Sequence, residues 1–470
     1  MSGTFSAWKG VACDSRKVKP GDLFVAIDGV NVDGAKFAGQ AVENGAVAIA
    51  SSRPVGDLGV PVKIVENTRR FLGEAAAQVA GFPSERLNVY GITGTNGKTS
   101  TTWILASLLP SSGYITTVET DTGLRKFASE HTTPDAVSLQ GLFSEMREAK
   151  LSSCAMEVSS HSIDQWRIAG TKFAGGAFTN LSEDHLDYHK DMLGYFEAKL
   201  GFFKYLADTN PGAVAVICLD NPFGEEMFQA VKDLPLKVVT CGCAEGAGVR
   251  ASGIEISALG SSFELVSPSG ETARVKCPLS GRYNVSNVLV ASALALSAGV
   301  PFGEIVKKIP LLSPRWGRLE RVASESEADV FVDFAHSNDA LENVLSTVRE
   351  FTRGKVWAVF GAGGNRDTAK RPLMGKAAAK FADKLVLTSD NPRNEDPLAI
   401  IGHIADGIPS GADATVLPER REAIRYALEN AKAGDSVVIC GKGHETTQEI
   451  AGTIHPFNDK EEVLGYVRKK

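Results

Sequence analysis

The sequence lacks the features that mark several classes of protein. Its 50 lysines and arginines are outnumbered by 56 aspartates and glutamates, so the formal net charge is −6. A nucleic-acid-binding protein usually shows a basic surplus or stripe instead. No stretch approaches the run of roughly 18 apolar residues that a membrane helix needs, and the N-terminal segment has no basic start or apolar run of a signal peptide. We therefore expect a cytoplasmic protein with no nucleic-acid or membrane partner.

Cysteine is scarce and scattered. The seven cysteines are odd in number and form no C-x-x-C pair, a pattern typical of reduced, mostly buried thiols. Cys241 and Cys243 stand close together in the sequence, but a structural zinc site needs four ligands. With no second pair at a suitable spacing, we expect no metal site at these two cysteines.

The chain of 470 residues has room for about three domains. Short apolar runs separated by turns predict a small α/β domain over residues 1–86, ending at the linker sequence GFPSERL. Apolar strands that alternate with helical stretches follow over residues 87–313, which indicates a mostly parallel sheet with helices on both faces. Within this region residues 243–281 alternate with period two and predict antiparallel strands. A second α/β run predicts the last domain over residues 314–470.

The segment GITGTNGKTS, residues 91–100, follows a predicted strand and opens a predicted helix. Glycines let backbone amides wrap a phosphate, and the helix N-terminus adds a favourable dipole. Lys98 is expected at the β- and γ-phosphates of a nucleotide and Thr99 at Mg²⁺. Ile92 stands where the strict Walker pattern has glycine, so the loop is a variant. The residues predicted to contact ATP here are Gly94, Thr95, Asn96, Gly97, Lys98, Thr99 and Ser100.

Polar side chains follow several predicted strands, and the carboxyl ends of parallel strands meet at one edge of a sheet. Glu157 ends one strand near the phosphate loop, and His185 follows the next. Together with a hydroxyl they suit Mg²⁺ or Mn²⁺, although His185 also fits a surface helix cap.

The last domain has four such strand ends: DFAHSND, GAGGNRD, TSDNPRNED and CGKGHE. They predict a cleft for a small, multiply charged ligand. GAGGNR lacks the full G-x-G-x-x-G pattern of a dinucleotide fingerprint, which disfavours a nicotinamide cofactor.

The order and spacing of several segments resemble the Mur ligase family, in particular the branch that adds the third peptide residue to UDP-N-acetylmuramoyl-L-alanyl-D-glutamate. The segments that carry the resemblance span nearly the whole chain and include GTNGKTS, MEVSSHSIDQWRI, TNLSEDHLDYHK, FEAKL, GRYNVSN, GRLERV, GAGGNRDTAKRPLMG, SDNPRNEDP and GKGHE. The resemblance implies an α/β fold of three domains. A central P-loop domain with a parallel sheet would be flanked by a smaller N-terminal α/β domain and a C-terminal Rossmann-like domain.

The resemblance also implies roles for individual residues. Those expected to bind the UDP-muramoyl dipeptide are Ser15, Thr132, Thr133, Ser159, Gln165 and Arg167. Those expected to contact ATP, besides the phosphate loop, are Asn284, Asn287, Arg318 and Asp333, with His336 close by. Those expected to bind diaminopimelate are Arg366, Asp390, Asn391, Pro392, Arg393, Gly441 and Glu445.

Lys199 matches the lysine that the family carries as a carbamate, which can bind Mg²⁺ where an ammonium would repel it. On the sequence alone Lys199 is an ordinary lysine on a helix face. The expected metal ligands are therefore Thr99, Glu157, His185 and carbamylated Lys199, and the expected catalytic residues are Lys98, Glu157, His185 and Lys199.

The implied reaction is amide formation driven by ATP through an acyl phosphate, with small-molecule substrates and a monomeric enzyme. The Arg393 guanidinium can pair with the distal carboxylate that lysine lacks, and Glu445 can hold the distal ammonium, so diaminopimelate is favoured as the incoming amino acid. A lysine-adding ligase and a folylpolyglutamate synthase remain alternatives within the ligases. A P-loop switch or motor would not need the charged cleft of the last domain. A non-catalytic nucleotide-binding scaffold would leave Glu157 and Lys98 without a function.

Overall fold

The computed structural model describes residues 8–29, 32–184, 186–322 and 328–468. In this part of the chain two compact units are present. The first unit comprises the described residues within the segments 1–181, 189–241 and 290–300, and the second comprises those within 182–188, 242–289 and 301–470. The domain boundaries expected after residues 86 and 313 stay predictions.

The first unit begins with a sheet of four parallel strands in sequence order. The strands are β1 (Gly10–Ala12), β2 (Asp22–Val25), β3 (Ala48–Ser51) and β4 (Val62–Ile64). The helices of this region are α1 (Ala38–Glu43) and α2 (Thr68–Val79), with 3-10 turns at Ser15–Lys17, Gly34–Phe37 and Pro83–Glu85. Strands β2 and β3 are buried along their whole length, as expected for parallel strands covered on both faces.

A larger sheet follows in the same unit. Its strands are β5 (Asn88–Thr93), β6 (Ser112–Ile115), β7 (Glu119–Asp121), β8 (Lys126–Ala128), β9 (Ser153–Glu157), β10 (Phe173–Phe178), β11 (Val214–Cys218) and β12 (Lys237–Gly242). They lie in the order β12-β11-β10-β5-β9-β6-β7-β8. The pairs β6–β7 and β7–β8 are antiparallel, and the other neighbours are parallel. Strand β5, which leads into the phosphate loop, therefore lies between β10 and β9.

The helices of this part are α3 (Lys98–Leu108), α4 (Ala136–Glu148), α5 (Ser160–Asp164), α7 (Met192–Thr209) and α8 (Pro222–Val231). Helix α6 (Leu186–His189) belongs mostly to the segment 182–188 of the second unit. Helix α7 packs on the sheet through the ring of Phe202, which is fully buried. A Cβ at Gly91 of β5 would meet that ring at 2.5 Å, and a Cβ at Gly176 of β10 would collide with it as well. Because these two glycines have no side chain, the ring of Phe202 can pack directly against the sheet.

The second unit contains three strands that form an antiparallel meander, as the alternating sequence predicts. They are β13 (Val249–Ser257), β14 (Gly260–Val266) and β15 (Thr272–Cys277). Helices α9 (Arg282–Ser297) and α10 (Phe302–Lys308) and a 3-10 turn at Ile309–Leu311 come next in the chain.

The remainder of the second unit is built on a six-stranded sheet. Its strands are β16 (Glu320–Arg321), β17 (Asp329–Asp333), β18 (Val356–Phe360), β19 (Lys384–Leu387), β20 (Ala414–Val416) and β21 (Ser436–Cys440), in the order β16-β17-β21-β18-β19-β20. All pairs except β16–β17 are parallel. The hairpin β22 (Thr447–Ile450) and β23 (Thr453–Pro456) follows. The helices are α11 (Asn338–Phe351), α12 (Lys370–Phe381), α13 (Pro397–Ala405), α14 (Arg420–Asn430) and α15 (Asp459–Val467).

The parallel arrangement brings the carboxyl ends of β17, β21, β18 and β19 to one edge of this sheet. The four charged or glycine-rich turns noted in the sequence follow these strands. Among the described residues, no helix combines the length and apolar character that crossing a membrane requires.

Candidate active site

The phosphate loop connects β5 to α3, as predicted. Gly94 lies against the end of β10, where a Cβ would collide with Oγ1 of Thr179, so a larger residue does not fit. The Lys98 ammonium donates hydrogen bonds to the carbonyl oxygens of Gly94 at 2.9 Å and Thr95 at 2.7 Å. The lysine side chain thus folds back over the loop at the helix N-terminus, which is a favourable position for a phosphate.

The loop is held from the side by residues at the end of β10. The backbone N–H of Asn96 donates to Oδ1 of Asn180 at 2.9 Å. The backbone oxygen of Asn96 accepts hydrogen bonds from Thr179 Oγ1 at 2.7 Å and Asn180 Nδ2 at 3.1 Å. Neither Thr179 nor Asn180 was predicted from the sequence to have this role, although two polar residues directly after an apolar strand are a signal for it.

Glu157 ends strand β9 and pairs with Ile92 of the neighbouring strand β5. Only 1% of its surface is exposed, and its Oε1 accepts a hydrogen bond from the backbone N–H of Thr117 at 2.8 Å. Thr99, at the start of α3, is buried as well. A carboxylate and a hydroxyl are ligands that Mg²⁺ accepts, so both residues fit a metal at the phosphate loop.

Lys199 is not a surface lysine, because only 1% of it is exposed. Its Nζ lies 4.2 Å from the centre of the Tyr195 ring, and the Tyr195 hydroxyl accepts a hydrogen bond from Oγ1 of Thr95 at 3.3 Å. The ring of His189 stacks on Tyr195 at 5.1 Å and its Nε2 lies 2.8 Å from Oγ of Ser160. Tyr195 therefore connects the buried lysine to the phosphate loop, a link that the sequence did not reveal.

Of the four predicted metal ligands, His185 lies outside the described residues. Among the described ones, no group of three or more histidine, cysteine, aspartate and glutamate side chains is arranged to hold a metal ion. Ligands of other kinds, such as a threonine hydroxyl, a lysine carbamate and the nucleotide phosphates, would have to complete the Mg²⁺ site.

The residues expected to hold the muramoyl dipeptide meet beside Glu157. Thr133 Oγ1 donates to the Glu157 carbonyl oxygen at 2.9 Å and accepts from the Ser159 backbone N–H at 3.1 Å. Arg167 donates to the Thr133 carbonyl oxygen at 3.1 Å and through two nitrogens to Gln165 Oε1. The shared contacts place this set next to the candidate metal ligand.

The two remaining members of that predicted set have other partners. Oγ1 of Thr132 lies 3.0 Å from Oγ1 of Thr117, whose backbone N–H contacts Glu157. Ser15 lies in the region of the first sheet, where its hydroxyl donates to Gln40 Oε1 at 2.7 Å. No hydrogen bond among the described residues joins Ser15 to the other five.

In the second unit, Asp333 ends strand β17 and is buried. Its carboxylate accepts hydrogen bonds from the backbone N–H groups of Leu319 at 2.5 Å and Ala335 at 2.7 Å. Burial raises the pKa of Asp333 to about 6, against the opposing effects of the nearby Arg318 charge and these hydrogen bonds. The carboxylate is therefore ionised at neutral pH but close to its titration range.

The other residues expected near ATP divide into two groups in this unit. Asn284 and Asn287 are one helical turn apart on α9 and hydrogen-bond to each other at 3.1 Å. Arg318 lies with its Cζ 4.8 Å from the centre of the Phe334 ring, and that ring also contacts the imidazoles of His336 at 4.7 Å and His444 at 4.8 Å. Burial, followed by the positive charge of Arg318, lowers the pKa of His444 to about 4, so this imidazole is neutral at physiological pH.

Asn391 and Glu445, both expected at diaminopimelate, share a buried lysine. Lys442, with no exposed side-chain surface, lies 2.7 Å from Oε2 of Glu445 and 3.1 Å from Oδ1 of Asn391. Asn391 Nδ2 donates to the same Oε2 of Glu445 at 2.8 Å. Burial by itself raises the pKa of Glu445, but Lys442 and Asn391 outweigh it and leave the pKa below its usual value. No role was predicted for Lys442 from the sequence.

Arg366 and Arg393 converge on Gly363. A Cβ at that glycine would lie 3.1 Å from Nη1 of Arg393 and 3.8 Å from Cγ of Arg366. Arg393 donates to the Gly364 carbonyl oxygen at 2.7 Å, and its Nε lies 3.4 Å from a carboxylate oxygen of Glu449. The Arg393 guanidinium and the side chain of Arg366 thus lie beside the same glycine, and a guanidinium group binds carboxylates and other anions.

Asp390 and Gly441 meet at the ends of β19 and β21. A Cβ at Gly441 would collide with Oδ2 of Asp390, and within the described structure this buried oxygen has no hydrogen-bond partner. Burial raises the pKa of Asp390. The fully buried Arg420 donates to the carbonyl oxygens of Ser389 at 3.3 Å and Cys440 at 2.9 Å.

Arg420 is itself paired with Asp459, which is also without exposed side-chain surface, through two hydrogen bonds of 2.7 and 2.8 Å. A buried ion pair of this kind is stable only when its geometry is good and its remaining groups are bonded. The pair joins the starts of α14 and α15 to both strand ends. The sequence contains no local signal for it, because the partners are separated by 39 positions.

Three family descriptions match consecutive parts of the chain. They are "Mur ligase family, catalytic domain" over residues 8–80, "Mur ligase middle domain" over residues 92–295 and "Mur ligase, glutamate ligase domain" over residues 317–443. The chain belongs to the Mur ligase family. The resemblance inferred from the sequence motifs is thereby confirmed, as are the α/β class and the three-domain Mur ligase fold.

Curated Mur ligases and a solved structure resemble the chain over nearly its full length. The chain is 42% identical to a Bacillus cereus protein named UDP-N-acetylmuramoyl-L-alanyl-D-glutamate--2,6-diaminopimelate ligase, over 96% of this chain and 92% of the relative. A protein of the same name from Geobacillus thermodenitrificans is 41% identical, over 97% and 94% of the two chains. A solved structure with that name superimposes with a TM-score of 0.73 at 35% identity, over 98% and 95%.

The roles assigned to single residues of this Mur ligase stay predictions. The structure brings together Thr133, Ser159, Gln165 and Arg167 with Glu157, and separately Arg366 with Arg393 and Asn391 with Glu445. Residues that the sequence analysis did not name support these groups: Thr179, Asn180, Tyr195, His189, Lys442, Arg420 and Asp459.

Proposed function

We propose that this chain is an ATP-dependent, ADP-forming ligase that joins meso-diaminopimelate to UDP-N-acetylmuramoyl-L-alanyl-D-glutamate, a step in the synthesis of peptidoglycan precursors. The observation that carries the proposal is the meeting of the Arg393 guanidinium and the Arg366 side chain at Gly363, in the same unit as the carboxylate of Glu445. Cationic side chains and an anion suit the charged groups of a zwitterionic amino acid. The names of the relatives at about 40% identity agree with this substrate.

In the first half of the reaction, the D-glutamyl γ-carboxylate attacks the γ-phosphorus of ATP and ADP leaves, which gives an acyl phosphate. Such a transfer depends on positioning and charge neutralisation. We assign the binding of the β- and γ-phosphates to Lys98 and the amides of the phosphate loop. Thr133, Ser159, Gln165 and Arg167 would hold the dipeptide so that its carboxylate is in line, and Ser15 would contact the UDP group.

Mg²⁺, when bound, supplies positive charge that offsets the charge developing on the transferred phosphoryl group. We assign its protein ligands to Thr99, Glu157, His185 and Lys199. For the buried Lys199 this requires carbamylation: the neutral amine nitrogen bonds to the carbon of CO₂ and one proton is released. The product carries one negative charge shared by two oxygens, which are ligands that Mg²⁺ prefers.

For the nucleotide, we assign contacts with the ribose to Asp333, with the phosphates to Arg318, and positions near the base to Asn284 and Asn287. An ionised carboxylate accepts hydrogen bonds from ribose hydroxyls, and the two backbone donors at Asp333 fix its orientation.

In the second half of the reaction, the amine of diaminopimelate attacks the acyl carbon, and phosphate leaves from the tetrahedral intermediate. The distal end of the amino acid decides specificity. Arg366 and Arg393 would bind the distal carboxylate, while Asp390, Asn391, Pro392 and Gly441 shape the surrounding turn. Glu445 would accept the distal ammonium through Oε1, since Lys442 and Asn391 both contact its Oε2.

Because ATP and the UDP-linked substrate are metabolites of the cytoplasm, we place the enzyme there. The expected monomer stays a prediction. The lysine-adding ligase remains the second candidate, and the convergence of two arginines disfavours it because lysine has no distal carboxylate.

The deciding experiment is phosphate release from ATP in the presence of UDP-N-acetylmuramoyl-L-alanyl-D-glutamate and a panel of amino acids. We expect turnover with meso-diaminopimelate and little with lysine, glutamate or no amino acid. Equal turnover with lysine would support the lysine-adding alternative. ATP hydrolysis that needs neither substrate would contradict a ligase.

A further inference from the structure

Two turns of the second unit carry the arginines assigned to the distal carboxylate. Residues 361–369 follow β18 and contain Arg366, and residues 388–396 follow β19 and contain Arg393. The two turns are joined by hydrogen bonds. The backbone N–H of Gly364 donates to the Asn391 carbonyl oxygen at 2.9 Å, and the N–H of Asn394 donates to Oδ1 of Asn365 at 3.1 Å. The relative position of the two arginines therefore depends on how firmly these turns are fixed.

An ion pair between a buried arginine and a partly buried glutamate joins both turns. Arg371, in α12, has no exposed side-chain surface, and it binds the carboxylate of Glu395 through two nitrogens at 2.9 and 3.0 Å. The same guanidinium donates to the Gly363 carbonyl oxygen at 3.3 Å and lies 3.1 Å from Nδ1 of His403. Glu395 also accepts a hydrogen bond from the backbone N–H of Asn365.

This pair reaches the arginine-bearing segments on both sides. Glu395 is two residues after Arg393 and bonds to the residue before Arg366. Arg371 contacts the carbonyl of Gly363, the residue on which the two arginines converge. A bidentate guanidinium–carboxylate contact fixes direction as well as distance. Neither Arg371 nor Glu395 is among the residues assigned to contact a substrate.

We propose that Glu395 and Arg371 are positioning residues that set the selectivity of this enzyme for an amino acid with a distal carboxylate. They act through Arg366 and Arg393, whose spacing they hold. The proposal rests on the proposed function, because it takes the distal carboxylate as the group that the two arginines bind. It predicts a loss of selectivity rather than a general loss of activity when the pair is broken.

The test is Glu395→Gln in the full chain, with kcat and KM measured for meso-diaminopimelate and for lysine. Lysine is the same amino acid without the distal carboxylate, so it reports on everything except that contact. The substitution keeps the size of the side chain and removes its charge. We expect KM for diaminopimelate to rise about tenfold, since small displacements of binding groups have effects of this order or larger. We expect kcat with diaminopimelate and kcat/KM with lysine to stay within about twofold of the wild type.

Glu342→Gln serves as the matched control, because Glu342 forms an ion pair with Lys380 at 2.6 Å on the exposed surface of the same unit. This variant should leave both substrates unaffected. Glu395→Asp keeps the charge on a shorter side chain and should restore part of the selectivity. It also supplies the comparison if the glutamine variant cannot be recovered in folded form, as judged from its Tm.

The outcomes distinguish a failure of the proposed function from a failure of the positioning role alone. A wild-type enzyme without preference for diaminopimelate over lysine contradicts the proposed function itself. A wild type that prefers diaminopimelate, with an unchanged ratio in both Glu395 variants, overturns the positioning role alone. Equal losses for both substrates also overturn it, because they would show that the pair only stabilises the fold.

Discussion

The phosphate loop of the first unit and the proposed amino-acid site of the second unit are constructed in different ways. In the loop, ten consecutive residues from Gly91 to Ser100 supply the glycines, the lysine and the helix start. In the amino-acid site, Arg366, Arg393 and Glu445 come from three turns that follow three different strands. Backbone groups dominate the first site and side chains the second, so the second needs more support from the surrounding fold.

The kind of support differs accordingly. Around the phosphate loop the supporting contacts are mostly hydrogen bonds to backbone atoms, as between Asn96 and the end of β10. Around the proposed amino-acid site, ion pairs with a buried cation provide it: Arg371 with Glu395, Arg420 with Asp459, and Lys442 with Glu445. Of these, Arg420 and Asp459 are both fully buried, and breaking such a pair is strongly destabilising. We therefore expect changes near the loop to affect catalysis, and changes near the amino-acid site to affect recognition.

The largest expected effect tests the loop. Lys98→Ala removes the cation at the transferred phosphoryl group, and we expect kcat to fall by at least about a thousandfold. Steady-state phosphate release measures it. Lys126→Ala is the control, since Lys126 is an exposed lysine of the same unit that pairs with Asp121 at 3.1 Å. Near-normal turnover of Lys98→Ala would contradict the proposed mechanism.

The next effect concerns Lys199. Arginine keeps the positive charge but does not form a stable carbamate, so Lys199→Arg should lower kcat by about a hundredfold. The wild type incubated with ¹³C-labelled bicarbonate should show a carbamate resonance in its ¹³C NMR spectrum, and the variant should lack it. Equal spectra for the two proteins would remove the carbamate from the mechanism.

A smaller effect follows from Asp333, whose pKa burial raises to about 6. Below that pH the carboxyl becomes protonated and no longer accepts two hydrogen bonds from a ribose as an anion. The Kd for ATP should therefore rise by about tenfold between pH 7 and pH 5. Asp333→Asn should bind ATP weakly at both pH values. Titration of the nucleotide phosphates is common to both proteins, so the difference between them isolates Asp333.

The smallest expected effect concerns Lys442 in the proposed amino-acid site. Lys442→Gln removes the cation that keeps the pKa of Glu445 low, so burial then dominates and the pKa rises. Because a protonated Glu445 does not bind an ammonium as an ion pair, KM for diaminopimelate should increase as the pH falls toward 5, by about threefold relative to wild type. A pH profile of KM that matches the wild type would show that Lys442 does not act through Glu445. The Tm of the variant reports whether the fold is intact.

The sequence was most informative where a function depends on neighbouring residues. The structure contains the strand, loop and helix predicted at residues 88–108, and it contains the predicted antiparallel strands β13–β15. Lys199 shows the opposite case. Its place on a helix was evident, but its burial against Tyr195 follows from how α7 packs on the sheet. Glu157 is an intermediate case. The sequence predicts its position at a strand end, but not its contact with Thr117.

The class of fold, the phosphate loop and the family follow from the sequence alone, because each rests on local patterns or on an order of segments along the chain. Which side chains meet at the strand ends depends instead on the tertiary structure. Arg371 and Glu395 are separated by 24 positions, and Arg420 and Asp459 by 39. No local pattern links such pairs. The order of strands in the sheet brings them together, and burial then makes each charge depend on its partner.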